Sequence, residues 1–366
     1  MSAAPGPDPA AFADLLVGYC LEVRAHQQVL VRSTSLAAPL LLELQRALLA
    51  ADAWPHLRVE VPGQTRGFYE HAKDWQLEEF PPLALHEAKK CEAVLAIQAP
   101  DDVRALAAID PDRLTRARRA RRPIQEATMK KRWCSTLWPT QALADQAGLD
   151  LDAYAGFVAG ALFLDRPAGP VAAWRELAAF QARLVERLQK ARTVRVEAAG
   201  TDVTLAVKGR TWVNSDGKRN MPSGEVFTGP HETSAQGRVR FTVPSSPAGV
   251  EVRGVELELS GGEVVSATAE EGQEYLERAL ATDPGARRLG ELGIGTNYGI
   301  GRPTGTILFD EKIGGTVHLA LGRSYPETGG VNESALHWDL ICDLREGGRL
   351  TADGEVVQQN GRFVGV

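Results

Sequence analysis

The chain has 366 residues and a mass of 39.5 kDa, which is too long for one ordinary core and sufficient for two domains. Its hydrophobic fraction of 44% and charged fraction of 24% are typical of globular proteins and exclude a disordered, collagen-like or coiled-coil chain. No apolar run approaches the ~20 residues that cross a bilayer, and the N-terminus lacks signal-peptide features, so we expect no membrane partner. Four scattered cysteines without a C-x-x-C pair favour a reducing, cytoplasmic location.

The net charge of −6 is unevenly divided along the chain. Residues 1–200 carry 25 Lys and Arg against 24 Asp and Glu, whereas residues 201–366 carry 16 against 23. Carboxylates gather where cations bind, but they also cover solvated surfaces. The acidic excess therefore leaves both interpretations open until individual residues are considered.

The first half of the chain alternates between short apolar runs and helical patterns. The apolar runs predict four strands, at Gln28–Arg32, His56–Val61, Cys91–Gln98 and Arg132–Leu137. Ala37–Ala51, between the first two runs, has the apolar spacing of a helix. This alternation predicts an α/β domain with a mostly parallel sheet. Neither a P-loop nor a dinucleotide-binding glycine motif follows the first strand, so a nucleotide function has no support there.

The clearest helix in the sequence is Ala172–Lys190, whose Trp, Leu and Phe residues recur at three- and four-residue steps. Beyond it the apolar residues alternate with a period of two. We therefore predict a domain boundary near Arg192, with an α/β domain at residues 1–191. Residues 192–366 are predicted to form a strand-rich α+β domain.

Two hairpins and one helix are predicted within this second domain. Alternating apolar residues flank tight turns in both hairpin segments, and a helical pattern follows the second hairpin. The segments are Val194–Val207, Val255–Thr268 and Glu271–Leu280.

The segment Arg113–Arg132 contains nine Lys and Arg but only one acid, Glu126. Such a run is compatible with a nucleic-acid surface or with an exposed helix face. The first half as a whole is near neutral and has no nucleic-acid module signature. We therefore favour the exposed helix face and expect no nucleic-acid partner.

The second half contains a dispersed set of residues with metal-ligand chemistry, namely Glu225, Glu291, His318, His337 and Asp339. Residues two apart in a strand point to the same face, so His337 and Asp339 are able to hold one metal together. Imidazole and carboxylate groups suit zinc, cobalt or manganese. Each residue alone is more often solvated or part of an ordinary hydrogen bond. Only their concentration in polar loops beside apolar strands indicates a metal site.

At these same positions the sequence resembles the aminopeptidase T family of thermophilic and staphylococcal-type metalloaminopeptidases. The motifs are Met221–Val239, Glu291–Gly301, Ile307–Gly322 and Ala335–Asp339, and the similarity also extends through the N-terminal half, so that it covers nearly the whole chain. The resemblance implies two cocatalytic divalent metals, which we take to be zinc, cobalt, manganese or magnesium. It also implies that the five residues above are the ligands, that Glu291 is shared between the metals, and that the strand-rich domain at residues 192–366 is the metal-binding catalytic domain.

The resemblance further implies an aminopeptidase that releases N-terminal residues from short peptides by means of a two-metal-activated water. Tyr325 matches a tyrosine that supports the reacting group, and Glu291 or Glu311 is the candidate for proton transfer. Glu311 is either an additional ligand or a residue just outside the ligand set. Trp338 lies between two predicted ligands and is expected to point to the opposite face, into the protein interior.

The partners implied by the resemblance are short peptides with a free N-terminus and a second copy of the chain in a homodimer. The alternative function is a catalytically silent, metal-stabilised peptide-binding or scaffold protein. The intact ligand set argues against that alternative. Only four of the 23 acids beyond residue 200 belong to the predicted site, namely Glu225, Glu291, Glu311 and Asp339. Most of the acidic excess is therefore predicted to lie on the solvated surface.

Overall fold

The computed structural model describes residues 6–245 and 247–366. The chain divides into two compact units. The first contains the residues up to Val171 together with Gly217–Pro222, and the second contains Ala172–Asp216 and Ser223–Val366. The predicted fold class, an α/β region followed by a strand-rich region, is confirmed.

The first unit contains a four-stranded parallel sheet. Its strands are β1 Gln28–Thr34, β2 Trp54–Glu60, β3 Ala93–Gln98 and β4 Arg132–Leu137, in the order β2-β1-β3-β4. All four strands follow the apolar runs of the sequence. Val29, Leu30 and Val31 in β1 are all fully buried, as expected for a strand inside a parallel sheet that is covered on both faces.

Helices connect and cover these strands. They are α1 Pro9–Asp14, α2 Ala38–Ala50, α3 Gln64–His71, α4 Asp74–Glu78, α5 Pro82–Lys90, α6 Pro111–Met129, α7 Gln141–Gln146 and α8 Leu151–Ala161, with a π-helical turn at Leu15–Cys20. Helix α2 corresponds to the predicted helix at Ala37–Ala51. No helix in the described residues is long and apolar enough to cross a membrane.

The arginine-rich segment forms most of α6, and several of its cations bond within the first unit. Arg113 donates to the backbone carbonyls of Tyr69 and Ala72, at 2.9 and 2.6 Å. Arg116 lies 2.6 Å from the Glu78 carboxylate, and Arg122 pairs with Glu126 one turn further on. These contacts favour the interpretation of the segment as a solvated helix face.

The second unit begins within α9 Pro170–Leu188 and is otherwise rich in strands. The strands are β5 Thr193–Ala198, β6 Thr201–Ala206, β7 Val213–Ser215, β8 Glu225–Thr228, β9 Gln236–Arg240, β10 Glu256–Ser260, β11 Glu263–Thr268, β12 Leu289–Gly295, β13 Thr316–Gly322, β14 His337–Asp343, β15 Arg349–Ala352, β16 Glu355–Gln359 and β17 Arg362–Phe363. Two short helices, α10 Gln273–Leu280 and α11 Ile307–Asp310, lie between strands. Both predicted hairpins are present, as β5–β6 and β10–β11.

These strands form two antiparallel sheets. One has eight strands in the order β11-β10-β9-β6-β5-β15-β16-β17, and the other has five in the order β14-β13-β12-β8-β7. Side chains of both sheets meet in one hydrophobic core, to which β12 contributes Leu292 and Ile294 and β13 contributes Leu319. Because side chains alternate along a strand, the polar residues between them point to the opposite face of the five-stranded sheet.

Helix α9 explains why the two compact units divide before the boundary that we predicted near Arg192. Its Leu184 and Leu188 are fully buried in the core of the two antiparallel sheets, and its Gln181 donates to the backbone carbonyl of Glu225 at 2.6 Å. The helix therefore packs with the second unit, although the change of sequence periodicity comes after it. The boundary between the two compact units consequently falls between Val171 and Ala172.

Candidate metal centre

Four neighbouring strands of the five-stranded sheet carry the five predicted ligands. Glu225 begins β8, Glu291 lies in β12, His318 lies in β13, and His337 and Asp339 lie in β14. These strands are adjacent in the sheet. Residues more than a hundred positions apart in sequence are thus brought together on the face opposite the hydrophobic core.

A β-bulge turns Glu291 towards this face. Leu289 pairs with Leu321 and Glu291 with Ala320, so β12 has one extra residue at this point. Leu289 consequently enters the core, whereas Glu291, two residues later, points to the opposite side. The extra residue is Gly290, where a Cβ atom would lie 2.4 Å from two backbone carbonyl oxygens at the end of β13. Bulges of this kind redirect side chains near functional sites.

Small residues on the same face leave room for the ligands. Gly293 lies directly opposite His318, and a Cβ atom at Gly293 would come within 2.0 Å of His318 Cε1. Ala320 lies opposite Asp339, and Gly322 lies opposite His337. The glycine-rich sequence after Glu291, which is a poor match for a phosphate-binding loop, therefore makes space for an imidazole ring.

Glu291 lies between two histidines and faces each with a different oxygen. Its Oε1 is 3.5 Å from His318 Nε2, and its Oε2 is 3.4 Å from His337 Nε2. Glu225 Oε2 is 3.6 Å from His318 Nε2, and Asp339 Oδ1 is 3.6 Å from His337 Nε2. The ligand atoms thus form two groups that share Glu291, one with Glu225 and His318 and the other with His337 and Asp339.

Both histidines present Nε2 to these groups. His318 Nδ1 lies 3.0 Å from the backbone carbonyl of Glu311, and His337 Nδ1 lies 2.8 Å from that of Arg323. A carbonyl only accepts, so each Nδ1 carries a proton and donates it. In the neutral ring the Nε2 lone pair is then free for a cation, which is the usual arrangement of metal-binding histidines.

The charges of the cluster are strongly coupled. Burial would lower the pKa of His318, but the carboxylates of Glu291 and Glu225 outweigh it and raise this pKa to about 10. The pKa of His337 is raised in the same way, to about 9, chiefly by Glu291 and Asp339. Burial favours a high pKa for Glu291, but the two histidines lower it overall. At neutral pH without a cation, both imidazoles are therefore protonated, and metal binding must release protons.

The donor set fits one divalent cation in each group. Two ligand atoms that lie about 2.1 Å from one ion, at a tetrahedral angle, are about 3.4 Å apart. The measured separations of 3.4–3.6 Å are close to this value. In addition, Asp339 Oδ1 is buried and has no hydrogen-bond partner in the described part of the chain. A buried carboxylate oxygen without a donor is costly, and a cation would satisfy it.

Tyr325 and Glu311 lie at the edge of the cluster. The Tyr325 hydroxyl is 3.4 Å from His337 Nε2, and the Tyr325 ring packs edge-on against Phe227, with the centroids 5.7 Å apart. Burial and then the nearby carboxylates raise the pKa of Tyr325, so the hydroxyl stays protonated and able to donate. Glu311 belongs to neither ligand group, and its carboxylate contacts the Lys312 ammonium.

Trp338 points away from the site, as predicted. Its side chain is buried in the core, where its indole N–H donates to Ser245 Oγ at 2.9 Å and its ring meets Tyr275 edge-on.

Sequence reasoning missed two residues near the ligands, Gly293 and Lys312. The period-two pattern of β12 and β13 could have placed Gly293 beside His318. No comparable signal marks Lys312, because buried lysines are rare.

We expect Gly293→Ala to disturb the site through the His318 ring. The added methyl cannot coexist with a ring atom 2.0 Å away, so the imidazole must shift from its present position. We expect metal affinity to fall by about 10–100-fold and the free energy of unfolding to fall by about 1–3 kcal/mol. Isothermal titration with Zn²⁺ and chemical denaturation measure the two effects.

Gly301→Ala is the matched control for this substitution. It lies in the same glycine-rich stretch, and its Cβ would meet no atom within 4 Å. Unchanged Zn²⁺ binding by Gly293→Ala would show that the glycine does not define the position of His318.

The two-unit fold thus carries a candidate metal centre of three carboxylates and two imidazoles. The chain belongs to the thermophilic metalloprotease (M29) family, whose profile matches residues 8–363. Its relatives include Aminopeptidase 2 of Geobacillus stearothermophilus, which is 32% identical over 94% of both chains. Aminopeptidase T of Thermus aquaticus is 33% identical over 48% of this chain and 50% of its own length.

The fold agrees with a solved structure of the same family. Wild-type AmpT from Thermus thermophilus superposes with a TM-score of 0.85 and 25% sequence identity, covering 98% of this chain and 99% of that one. The family resemblance predicted from four sequence motifs is thus confirmed. The chain is a hydrolase of the metalloaminopeptidase class.

Proposed function

We propose that the protein removes N-terminal residues from short peptides with the help of two divalent metal ions. The observation that carries this proposal is the position of Glu291, whose two carboxylate oxygens face two separate pairs of predicted ligands. A shared carboxylate is what a pair of ions about 3.5–4 Å apart requires. Glu225 and His318 would complete one ion's protein ligands, and His337 and Asp339 the other's.

When bound, the two ions would polarise the scissile carbonyl and lower the pKa of an attacking water. Tyr325 would donate its hydroxyl hydrogen bond to the carbonyl oxygen as that oxygen gains negative charge. We assign proton transfer to the leaving amine to Glu311, whose carboxylate lies outside both ligand groups. Glu291 is less suited to this role because both of its oxygens face ligand atoms.

A cavity beside the ligands supports a small peptide substrate. It has a volume of about 320 Å³ and borders His337 and Asp339. Its other walls are largely apolar and include Val243, Ile307 and Ile341. This volume lies at the lower end of small-molecule sites, which suits one terminal residue better than an extended chain.

The remaining parts of the proposal rest on the family resemblance. We propose a homodimer, which light scattering coupled to size-exclusion chromatography would detect as twice the mass of the chain. We also propose a cytoplasmic location, in agreement with four cysteines that are all buried as thiols. Cell fractionation of the native organism would test the location.

The central experiment compares free and blocked peptides before and after metal removal. Dialysis against a chelator should abolish hydrolysis of Leu-p-nitroanilide and Leu-Gly-Gly, and about two equivalents of Zn²⁺, Co²⁺ or Mn²⁺ should restore it. N-acetyl-Leu-Gly-Gly should not be cleaved. Full activity of the chelated protein, or cleavage of the acetylated peptide at the same rate, would contradict the proposal. Metal bound at normal stoichiometry without hydrolysis of any peptide would instead indicate a silent binding protein.

A further inference from the structure

Lys312 is a buried cation in contact with two acids of the cluster. Its side chain has no solvent exposure, and its ammonium contacts Glu311 Oε1 and lies 3.7 Å from Glu225 Oε1. An ammonium group is taken out of water at a high cost unless nearby charges compensate for it. The carboxylates of Glu225 and Glu311 supply that compensation for the Lys312 ammonium.

The two oxygens of Glu225 have different neighbours. Oε2 faces His318 Nε2 at 3.6 Å, on the side where the cation would bind. Oε1 faces the Lys312 ammonium at 3.7 Å. Only one oxygen of this predicted ligand is therefore directed at the cation position, and the other is held by a positive charge.

Glu311 is held by the same ammonium. Its carboxylate contacts Lys312 and belongs to neither group of ligand atoms, although its backbone carbonyl accepts from His318 Nδ1. Among the described residues, Lys312 is the cation paired with the Glu311 carboxylate, so its removal would leave that carboxylate free to turn towards a bound metal. Lys312 therefore holds the Glu311 carboxylate away from the predicted metal ligands.

We propose that Lys312 is a positioning residue that limits Glu225 to one-oxygen ligation and keeps Glu311 out of the metal shell. The inference rests on the proposed two-metal function. With neutral imidazoles, the four carboxylates of Glu225, Glu291, Glu311 and Asp339 carry −4, and Lys312 reduces this to −3. Two divalent ions then leave the cluster at +1 with Lys312 (−4 + 1 + 4) and at 0 without it. The lysine thus preserves positive charge where the substrate carbonyl must be polarised.

The test is a Co²⁺ titration of the metal-free full-length protein and of its Lys312→Met variant, followed by visible absorption. In the variant, one oxygen of Glu225 and the carboxylate of Glu311 are no longer held by an ammonium group. These oxygens can then bind the ion, so the coordination number of Co²⁺ should rise. We expect the visible absorption per Co²⁺ to fall severalfold and the Kd of one Co²⁺ to change by about 10–100-fold. A merely structural role would lower stability without changing the spectrum.

Arg349→Met is the matched control, because it removes an ion pair with Glu197, at 2.8 Å, in the eight-stranded sheet. It should leave the Co²⁺ spectrum unchanged. If Lys312→Met does not fold, Lys312→Gln replaces it in the same comparison. The glutamine removes the positive charge but keeps a hydrogen-bond donor on a shorter side chain. A wild-type spectrum and affinity in the folded Lys312 variant would overturn this inference alone. Failure of the wild-type protein to bind Co²⁺ would overturn the proposed function itself.

Discussion

Replacing Glu291 with Gln is expected to lower peptidase activity by more than about a thousandfold and to reduce bound metal from two equivalents to one or none. The side chain keeps its size, so the change removes one negative charge and one ligand oxygen from the centre of the cluster. Each Glu291 oxygen faces a different imidazole, at 3.5 and 3.4 Å, and an amide provides only one good ligand oxygen. Loss of the shared ligand therefore weakens both ion positions, and the pair that activates water is lost.

Elemental analysis after dialysis against excess Zn²⁺, together with initial rates on Leu-p-nitroanilide, measures both parts of this prediction. Glu258→Gln is the control, since it removes an exposed carboxylate from β10 in the other sheet of the same unit. That variant should retain two ions and full activity. A Glu291→Gln protein with two ions and more than about a tenth of wild-type activity would show that the carboxylate is not shared between metals.

The periodicity of the sequence was sufficient to predict the four parallel strands, two hairpins and the shared face of His337 and Asp339. Short β-branched or apolar runs predicted the parallel strands, and alternation predicted the hairpins β5–β6 and β10–β11. The same alternation correctly placed His337 and Asp339 on one face of β14, with Trp338 on the other. These features depend on local side-chain periods, which the sequence contains directly.

The tertiary details of the site could not be predicted in this way. The bulge at Gly290 reverses the alternation in β12, so a simple period of two would have put Leu289 and Glu291 on the same face. The burial of Lys312 depends on Glu225, which lies 87 positions earlier (312 − 225), and no local pattern reports such a contact. Register shifts and long-range ion pairs are products of tertiary packing rather than of local sequence.

Part of the acidic excess of the second half lies in exposed ion pairs. Exposed acids such as Glu256 and Glu270 both pair with Arg240, on the surface of the eight-stranded sheet. Exposed pairs of this kind contribute little to stability. The acids that we propose as metal ligands are instead those grouped with His318 and His337.

The second large effect is expected for Tyr325→Phe, which should lower kcat by about 10²–10³-fold, the effect of removing one donor to a developing oxyanion. The ring should remain in place, because its contacts with Phe227 and His337 do not involve the hydroxyl oxygen alone. Metal binding should be preserved, since Tyr325 is in neither ligand group. Because burial raises the pKa of the Tyr325 hydroxyl, this group stays protonated at neutral pH and is able to donate.

Steady-state kinetics on Leu-p-nitroanilide, with Co²⁺ titrations of both proteins, separate the possible roles of Tyr325. A fall in kcat with unchanged KM and Co²⁺ affinity indicates a hydrogen bond made only in the transition state. Tyr298→Phe is the control, because its hydroxyl donates to the backbone carbonyl of Gly361 at 2.6 Å and its loss should leave kcat unchanged. If Tyr325→Phe instead raises KM at constant kcat, the hydroxyl binds the ground state of the substrate. If it weakens Co²⁺ binding, its contact with His337 serves to orient a ligand, and the stabilising donor must be sought elsewhere in the cluster.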